Sequence, residues 1–203
     1  MGTRLCHARL TRIHQNGKRL IYLHATGVMK NLPNILTLGR IALLPVIIGL
    51  LFIDQIVIAL GLYIIASLTD FFDGYLARKL NVVSDFGTFL DPIADKIFVA
   101  ALLIAFVAFD RLEGLWIIPP IIILLREFMV SGLREYLGPK NVKLPVSMLA
   151  KWKTTLQMIA LGFLFFDSGV LLQIGQWSLA LAALITVLTG WSYLKSGLKH
   201  MDS

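Results

Sequence analysis

Charge is what this sequence has least of. Of its 203 residues, 15% are charged and 57% are apolar, and the mean hydropathy is +0.78. That balance excludes an ordinary soluble domain, where about a quarter of residues are charged. Cysteine is nearly absent: the single Cys6 excludes an internal disulfide and any cysteine metal cluster. Acids are scarce too, 12 against 19 Lys and Arg, for a net charge of +7. Repeats and low-complexity segments are absent. The basic excess would suggest nucleic acid in a polar chain. Here it has a simpler source, because membrane proteins concentrate Lys and Arg in their cytoplasmic loops.

What the sequence has instead is long apolar runs, several near or above the roughly 20 residues needed to cross a bilayer core. Six spans are predicted, at about Ile35–Ile53, Ile56–Ala77, Phe86–Phe109, Trp116–Leu133, Met148–Phe166 and Leu171–Leu194. The expected class is all-α integral membrane, with six transmembrane helices. The loops Asp54–Gln55, Asp110–Glu113 and Asp167–Ser168 fall on one side and hold one basic residue, Arg111. The other side carries Arg78, Lys79, Arg134, Lys140, Lys143, Lys195 and Lys199, with Lys151 and Lys153 close by. This asymmetry predicts that both termini are cytoplasmic. Trp116, Trp177, Trp191 and Tyr193 read as interfacial aromatics. Pro119 and Pro120 read as a kink in the fourth span or as its first turn.

Residues 1–28 differ from the remainder, 29–203, which reads as one six-helix catalytic domain. They carry five Lys and Arg and three His, with no acid. Three readings stand: a basic helix lying on anionic lipid, a mitochondrial transit peptide short of serine, or an extension ahead of a natural start at Met29. The third is favoured, because Met29-Lys30 leads directly into Asn31-Leu32-Pro33-Asn34.

Four aspartates stand out against the apolar background. Asp70, Asp73, Gly74 and Ala77 are spaced to share one face of a helix, and Gly87, Asp91 and Asp95 to share a face of the next. A short turn near Lys79–Ser84 makes the two helices antiparallel, so two carboxylate pairs face one cleft. Four aspartates within spans would cost about 10 kcal/mol on insertion scales, and mutual repulsion adds to that. Divalent cations remove both penalties. Oxygen ligands without nearby Cys or His select hard ions such as Mg²⁺ or Mn²⁺, and facing pairs suit two ions about 4 Å apart. The competing structural account pairs these acids with Arg78, Lys79 and Lys96; it is weak for all four together. Gly74 and Gly87 each forgo about 1 kcal/mol of helix propensity, either to admit a ligand close to the backbone or to pack helices closely.

Asp70-x2-Asp73-Gly74-x2-Ala77-Arg78-x8-Gly87-x3-Asp91-x3-Asp95 resembles, at all eight positions, the signature of the CDP-alcohol phosphatidyltransferases. Asn31-Leu32-Pro33-Asn34-x2-Thr37-x2-Arg40, Arg126-Glu127-Phe128, Ser131-Gly132-Leu133-Arg134-Glu135 and Lys151-x-Lys153-Thr154-x2-Gln157-Met158 look like the bacterial phosphatidylglycerophosphate synthase branch. The resemblance covers about Asn31–Lys195. It implies six transmembrane helices, usually as a homodimer, with a polar cavity open to the cytoplasm. It also implies transfer of a phosphatidyl group from CDP-diacylglycerol to an alcohol, with release of CMP. In this branch the alcohol is glycerol 3-phosphate, and the setting is phospholipid biosynthesis in the bacterial inner membrane.

Carried onto this sequence, the resemblance makes Asp70, Asp73 and Asp91 the main metal ligands. Asp95 becomes the general base and a further ligand. Gly74, Ala77, Arg78 and Gly87 form the CDP-diacylglycerol site, with Asp70 and with Thr37 and Asn34 beside it, although Asn34 also reads as a helix cap. The acceptor phosphate calls for cations: Arg126, Arg134, Lys151, Lys153 and Arg40. For Arg126 the competing account is a buried pair with Glu127, and for the two lysines interfacial snorkelling. Two other functions are weighed. Cardiolipin synthase of the same fold takes phosphatidylglycerol, and a mitochondrial reading of residues 1–28, with the mitochondrial inner membrane as location, favours it. A cation or proton transporter also needs intramembrane acids, but would spread them through the membrane depth.

Overall fold

The computed structural model describes residues 35–80, 85–138 and 148–198; side chains at 70–80, 85–88, 150, 151, 192 and 196–198 lie outside the described set. Residues 1–28, whose role the sequence leaves open, also lie outside the described residues, as do Asn34 and the turn at 81–84.

Every described element is helical. In chain order these are α1 (Ile35–Phe52), then α2 (Ile56–Leu80), α3 (Asp85–Ala108), a 3₁₀ turn (Gly114–Ile117), α4 (Ile118–Leu137), α5 (Met148–Phe163) and α6 (Gly169–Leu198). The six α-helices fall on the six apolar runs. Among the described residues three segments are long and apolar enough to cross a bilayer: Ile35–Phe52, Gly114–Leu137 and Gly169–Lys195. The apolar part of α2 that qualifies is shorter, Ile56–Thr69. In α3 the charges Asp91, Asp95 and Lys96 occupy the first half, and in α5 Lys151 and Lys153 occupy the first turns. In α3 and α5 the charged residues thus gather at the N-terminal end of the helix.

The turns explain where the helices stop. Asp54 has φ 56° and Asp110 φ 58°, left-handed conformations that Asp tolerates better than most residues. After α1, Asp54 N–H donates to Leu51 O and Gln55 N–H to Leu50 O. After α3 the same pair recurs, Asp110 N–H to Val107 O and Arg111 N–H to Phe106 O. Both are Schellman closures, which satisfy the last carbonyls of a helix. Two acids of the charge-poor side thus have a local structural job. Pro119 and Pro120 occupy the first turn of α4, where their missing N–H is no loss, so they start the helix rather than kink it.

One apolar cluster runs through all six helices, including Ile47 of α1, Tyr63 of α2, Phe98 and Phe106 of α3, Ile123 of α4, Leu161 of α5 and Leu179 of α6, with Phe165 of the turn after α5. Tyr63 stacks on Phe98 at 6.0 Å and meets Phe165 at 5.2 Å, and Phe106 meets Phe165 edge-on at 5.1 Å. Large apolar side chains such as Val57, Leu115, Leu188 and Trp191 point outward, as lipid-facing positions should. In lipid, contact between helices is favoured by close packing rather than by escape from water. Among the described glycines of the apolar core, Gly175 on α6 is tightly enclosed, with backbone among its neighbours. A Cβ there would lie 3.0 Å from Phe163 Cβ and 3.1 Å from the Leu164 backbone nitrogen. Gly61 of α2 has nothing within 4 Å.

Gly175→Ala is therefore expected to destabilise the bundle by about 1–3 kcal/mol through overpacking against backbone. Gly61→Ala should be neutral or stabilising by up to about 1 kcal/mol through helix propensity. Thermal unfolding of the two variants in detergent, followed by circular dichroism, checks the contrast; equal midpoints would refute it.

Candidate active site

The N-terminal halves of α1, α3 and α5 meet the C-terminal halves of α4 and α6 at one end of the bundle, where Thr37, Arg40, Lys96, Arg126 and Lys153 make hydrogen bonds between helices. On α3, Asp91 and Asp95 are one turn apart with Pro92 between them, a residue that lacks the N–H for the carbonyl one turn earlier. Both aspartates are exposed. Each is met by a buried residue of α1: Thr37 Oγ1 donates to Asp91 Oδ1 at 2.7 Å, and Arg40 Nη1 to Asp95 Oδ1 at 2.6 Å. Thr37 and Arg40 are 3% and 6% exposed and lie three residues apart, hence on one face of α1. Arg40, expected to serve an acceptor phosphate, is here the partner of the expected general base.

A second network joins α4, α5 and α6. Glu127 Oε1 accepts from Arg126 Nη1 at 3.1 Å and also from Lys153 Nζ. Arg126 and Lys153 are both buried. Arg126 Nη2 reaches Thr189 Oγ1 of α6 at 3.3 Å, and Thr189 in turn donates to the Ile185 carbonyl. Lys96 of α3 bonds Ser131 Oγ of α4. Arg126 is paired with Glu127, as the competing account has it, and it also lines a cavity. Its entry into the helix packing depends on Gly190, because a Cβ at that position would lie 2.9 Å from Arg126 Cγ.

The cavity between α3, α4, α5 and α6 has a volume of about 290 Å³. Its charged lining is Asp95, Lys96, Arg126, Glu127, Arg134 and Lys153, with Thr154, Gln157 and Tyr193 as polar neighbours. Three of the five cations expected to serve an acceptor phosphate, Arg126, Arg134 and Lys153, thus share one space with the expected base. Four basic side chains against two carboxylates leave a formal excess of two positive charges. Two buried polar atoms on this wall, Arg126 Nε and the Tyr193 hydroxyl, have no hydrogen-bond partner among the described residues. An unmet buried donor costs about 1–3 kcal/mol; at the Arg126 guanidinium, which already carries charge, this suits a site completed by an anion.

The remaining expected site residues are placed less fully. Asp70, Asp73, Gly74, Ala77 and Arg78 lie in α2 and Gly87 in α3, but their side chains are outside the described residues, as is that of Lys151; Asn34 is outside altogether. Of the four aspartates, the described pair offers hard oxygen donors at i, i+4, with no Cys or His in the cavity lining. That donor chemistry fits Mg²⁺ or Mn²⁺. Sequence reasoning missed Tyr193, taken for an interfacial aromatic. It is 5% exposed and lies under two arginines, with Cζ of Arg126 at 5.4 Å and of Arg134 at 5.6 Å from its ring centroid. Its spacing from Thr186, Thr189 and Gly190, one polar or small face in an apolar helix, was the available signal. Trp177 and Trp191 are exposed, as interfacial aromatics should be.

Glu127→Gln is expected to cost about 3–5 kcal/mol, because it leaves Arg126 and Lys153 buried together without a counter-charge. Adding Lys153→Met should recover part of that loss, giving a non-additive cycle. Unfolding midpoints of the two single variants and the double variant check this; strict additivity would refute a shared network.

Comparison with known proteins fits this geometry. A sequence profile for the family described as CDP-alcohol phosphatidyltransferase matches residues 30–188. A protein of Rickettsia typhi named CDP-diacylglycerol–glycerol-3-phosphate 3-phosphatidyltransferase is 48% identical over 176 residues, covering 83% of this chain and 97% of the relative. Proteins of the same name in Rickettsia prowazekii and Bacillus subtilis are 48% and 42% identical, covering 82% and 81% of this chain and 95% and 94% of the relatives.

Proposed function

The chain belongs to the CDP-alcohol phosphatidyltransferase family, and we propose that it transfers the phosphatidyl group of CDP-diacylglycerol to glycerol 3-phosphate. The products are phosphatidylglycerophosphate and CMP. The observation that carries this choice of acceptor is the cavity beside Asp95, with its excess of two positive charges. A phosphomonoester such as glycerol 3-phosphate approaches a dianion at neutral pH, and it fits that excess. Phosphatidylglycerol, the acceptor of a cardiolipin synthase, carries one charge on a diester and leaves a desolvated cation uncompensated. The names of the close relatives point the same way.

The roles of the side chains follow from chemistry and position. The acceptor hydroxyl attacks the phosphatidyl phosphorus, its proton passes to Asp95, and the bond to CMP breaks. Arg40, hydrogen-bonded to Asp95 Oδ1, orients that carboxylate, and Thr37 does the same for Asp91. Arg126, Arg134 and Lys153 hold the acceptor phosphate, with Lys151 at the rim. Glu127 keeps two of these cations in place between turnovers. On the family resemblance we assign Gly74, Ala77, Arg78 and Gly87, with Asp70, Thr37 and Asn34, to the CDP-diacylglycerol site. The family is divalent-metal-dependent. We assign Asp70, Asp73, Asp91 and Asp95 as the residues that would hold two ions, Mg²⁺ or Mn²⁺. A bound ion supplies neutralisation of charge on the diphosphate.

The loop charges support six spans with both termini and the active site on the cytoplasmic face of a bacterial inner membrane. Family resemblance supports a homodimer.

The test is CMP release from CDP-diacylglycerol by detergent-purified protein with Mg²⁺, with glycerol 3-phosphate, phosphatidylglycerol, serine and inositol as parallel acceptors. Release with glycerol 3-phosphate alone is expected. Asp95→Asn should lower it by about 10²–10⁴-fold, the range for losing a general base. Release with phosphatidylglycerol alone would move the assignment to cardiolipin synthesis. Absence of release with every acceptor, from folded protein with Mg²⁺ present, would remove the transferase reading.

A further inference from the structure

Arg126 and Arg134 lie eight residues apart on α4, about 12 Å along the helix axis at 1.5 Å per residue. Their guanidinium carbons nevertheless sit 5.4 and 5.6 Å from the centroid of one ring, that of Tyr193 on α6. The two side chains therefore converge from opposite ends of two helical turns onto a single aromatic platform. Like charges brought together in a partly desolvated site repel. The electron-rich face of an aromatic ring offsets that repulsion and fixes the planes of both cations. The arrangement differs for the two arginines. Arg126 is buried and also held by Glu127 and Thr189. Arg134 is exposed, and the ring is the contact that draws it toward the cavity.

The ring is itself well fixed. Tyr193 packs with Val130, Leu133 and Leu137 of α4, and Gly190, one turn earlier, brings α6 against the stem of Arg126. The Tyr193 hydroxyl has no hydrogen-bond partner among the described residues, so the platform is the ring and not the phenol oxygen.

We propose that Tyr193 is a positioning residue for the acceptor phosphate: its ring holds Arg126 and Arg134 together as one preorganised phosphate clamp. This rests on reading the cavity as the acceptor site. A clamp assembled before the ligand arrives spares the ordering of two long side chains on binding, so its loss should appear in acceptor affinity rather than in the chemical step.

The experiment compares Tyr193→Phe, Tyr193→Leu and Tyr193→Met with the parent protein. Steady-state CMP release is measured with glycerol 3-phosphate and CDP-diacylglycerol varied in turn. Calorimetric titration with glycerol 3-phosphate alone reads binding without turnover. Phe keeps the ring and should stay within about twofold of the parent on every parameter. Leu and Met should raise KM for glycerol 3-phosphate by about 5–20-fold, the range a desolvated cation–π contact supports. They should weaken calorimetric binding by the same factor, and leave kcat and KM for CDP-diacylglycerol within about twofold. An unchanged KM in both apolar variants overturns the proposal. So does a Phe variant as weak as Leu, which would move the role to the hydroxyl. Parallel loss in kcat and in both KM values would reduce Tyr193 to a packing residue. A parent protein that binds glycerol 3-phosphate yet releases no CMP with it would overturn the proposed reaction while the clamp stood. One that binds none would overturn both.

Discussion

Everything at the polar end of this bundle depends on charge compensation between helices. Among the described residues of this end, the buried basic side chains Arg40, Arg126 and Lys153 each have an acidic partner. Arg40 answers Asp95, while Glu127 answers Arg126 and Lys153 together. Removing a partner from such a set costs more than the pair contributes, because the survivor stays buried and charged. The pairs also run between helices: α1 to α3, and α4 to α5. The same contacts that hold the helices in register therefore hold the functional groups in place, and the bundle cannot relax without disturbing the site.

The remainder of the bundle is packed in a different way. Apolar contacts made by Tyr63, Phe98, Phe106 and Phe165 join α2, α3 and the turn after α5 through stacked and edge-on rings, and Gly175 allows α6 to touch the α5 backbone. Schellman turns at Asp54 and Asp110 close the helices at the far end with short connections. The apolar end is tightly joined, and the polar end holds a cavity of about 290 Å³ with basic side chains in its lining.

Much of this was legible in the sequence. The six helices follow from apolar runs bounded by charge, and the observed limits differ from those expected by a few residues at each end. The aspartate spacing and the basic residues after the fourth apolar run pointed to a metal-dependent reaction on phosphates. Arg126, Arg134 and Lys153 do share one cavity with Asp95. What could not be read was which groups pair. Arg40 looks like any cation near a cleft until α1 is placed against α3, 55 residues away in sequence. Tyr193 looks like an interfacial aromatic until α6 is docked on α4. Pairing is a property of helix rotation, which the period of a hydrophobic pattern constrains only to within a broad stripe. The third and fifth expected spans carry charges in their first turns, because the site takes part of their length.

Gly190 has one more consequence. The missing Cβ leaves room for the stem of Arg126, at a gap of 2.9 Å that no side chain would fit. A hundred-degree turn of α6, or a slide of one residue, would put Thr189 or Trp191 there and expel the arginine from the wall. Helix α6 is thereby keyed to α4 like a notch to a tooth. In evolutionary terms positions 126 and 190 form a single character: a larger residue at 190 is compatible only with a shorter one at 126, and neither should vary alone in a lineage that keeps the cavity cationic.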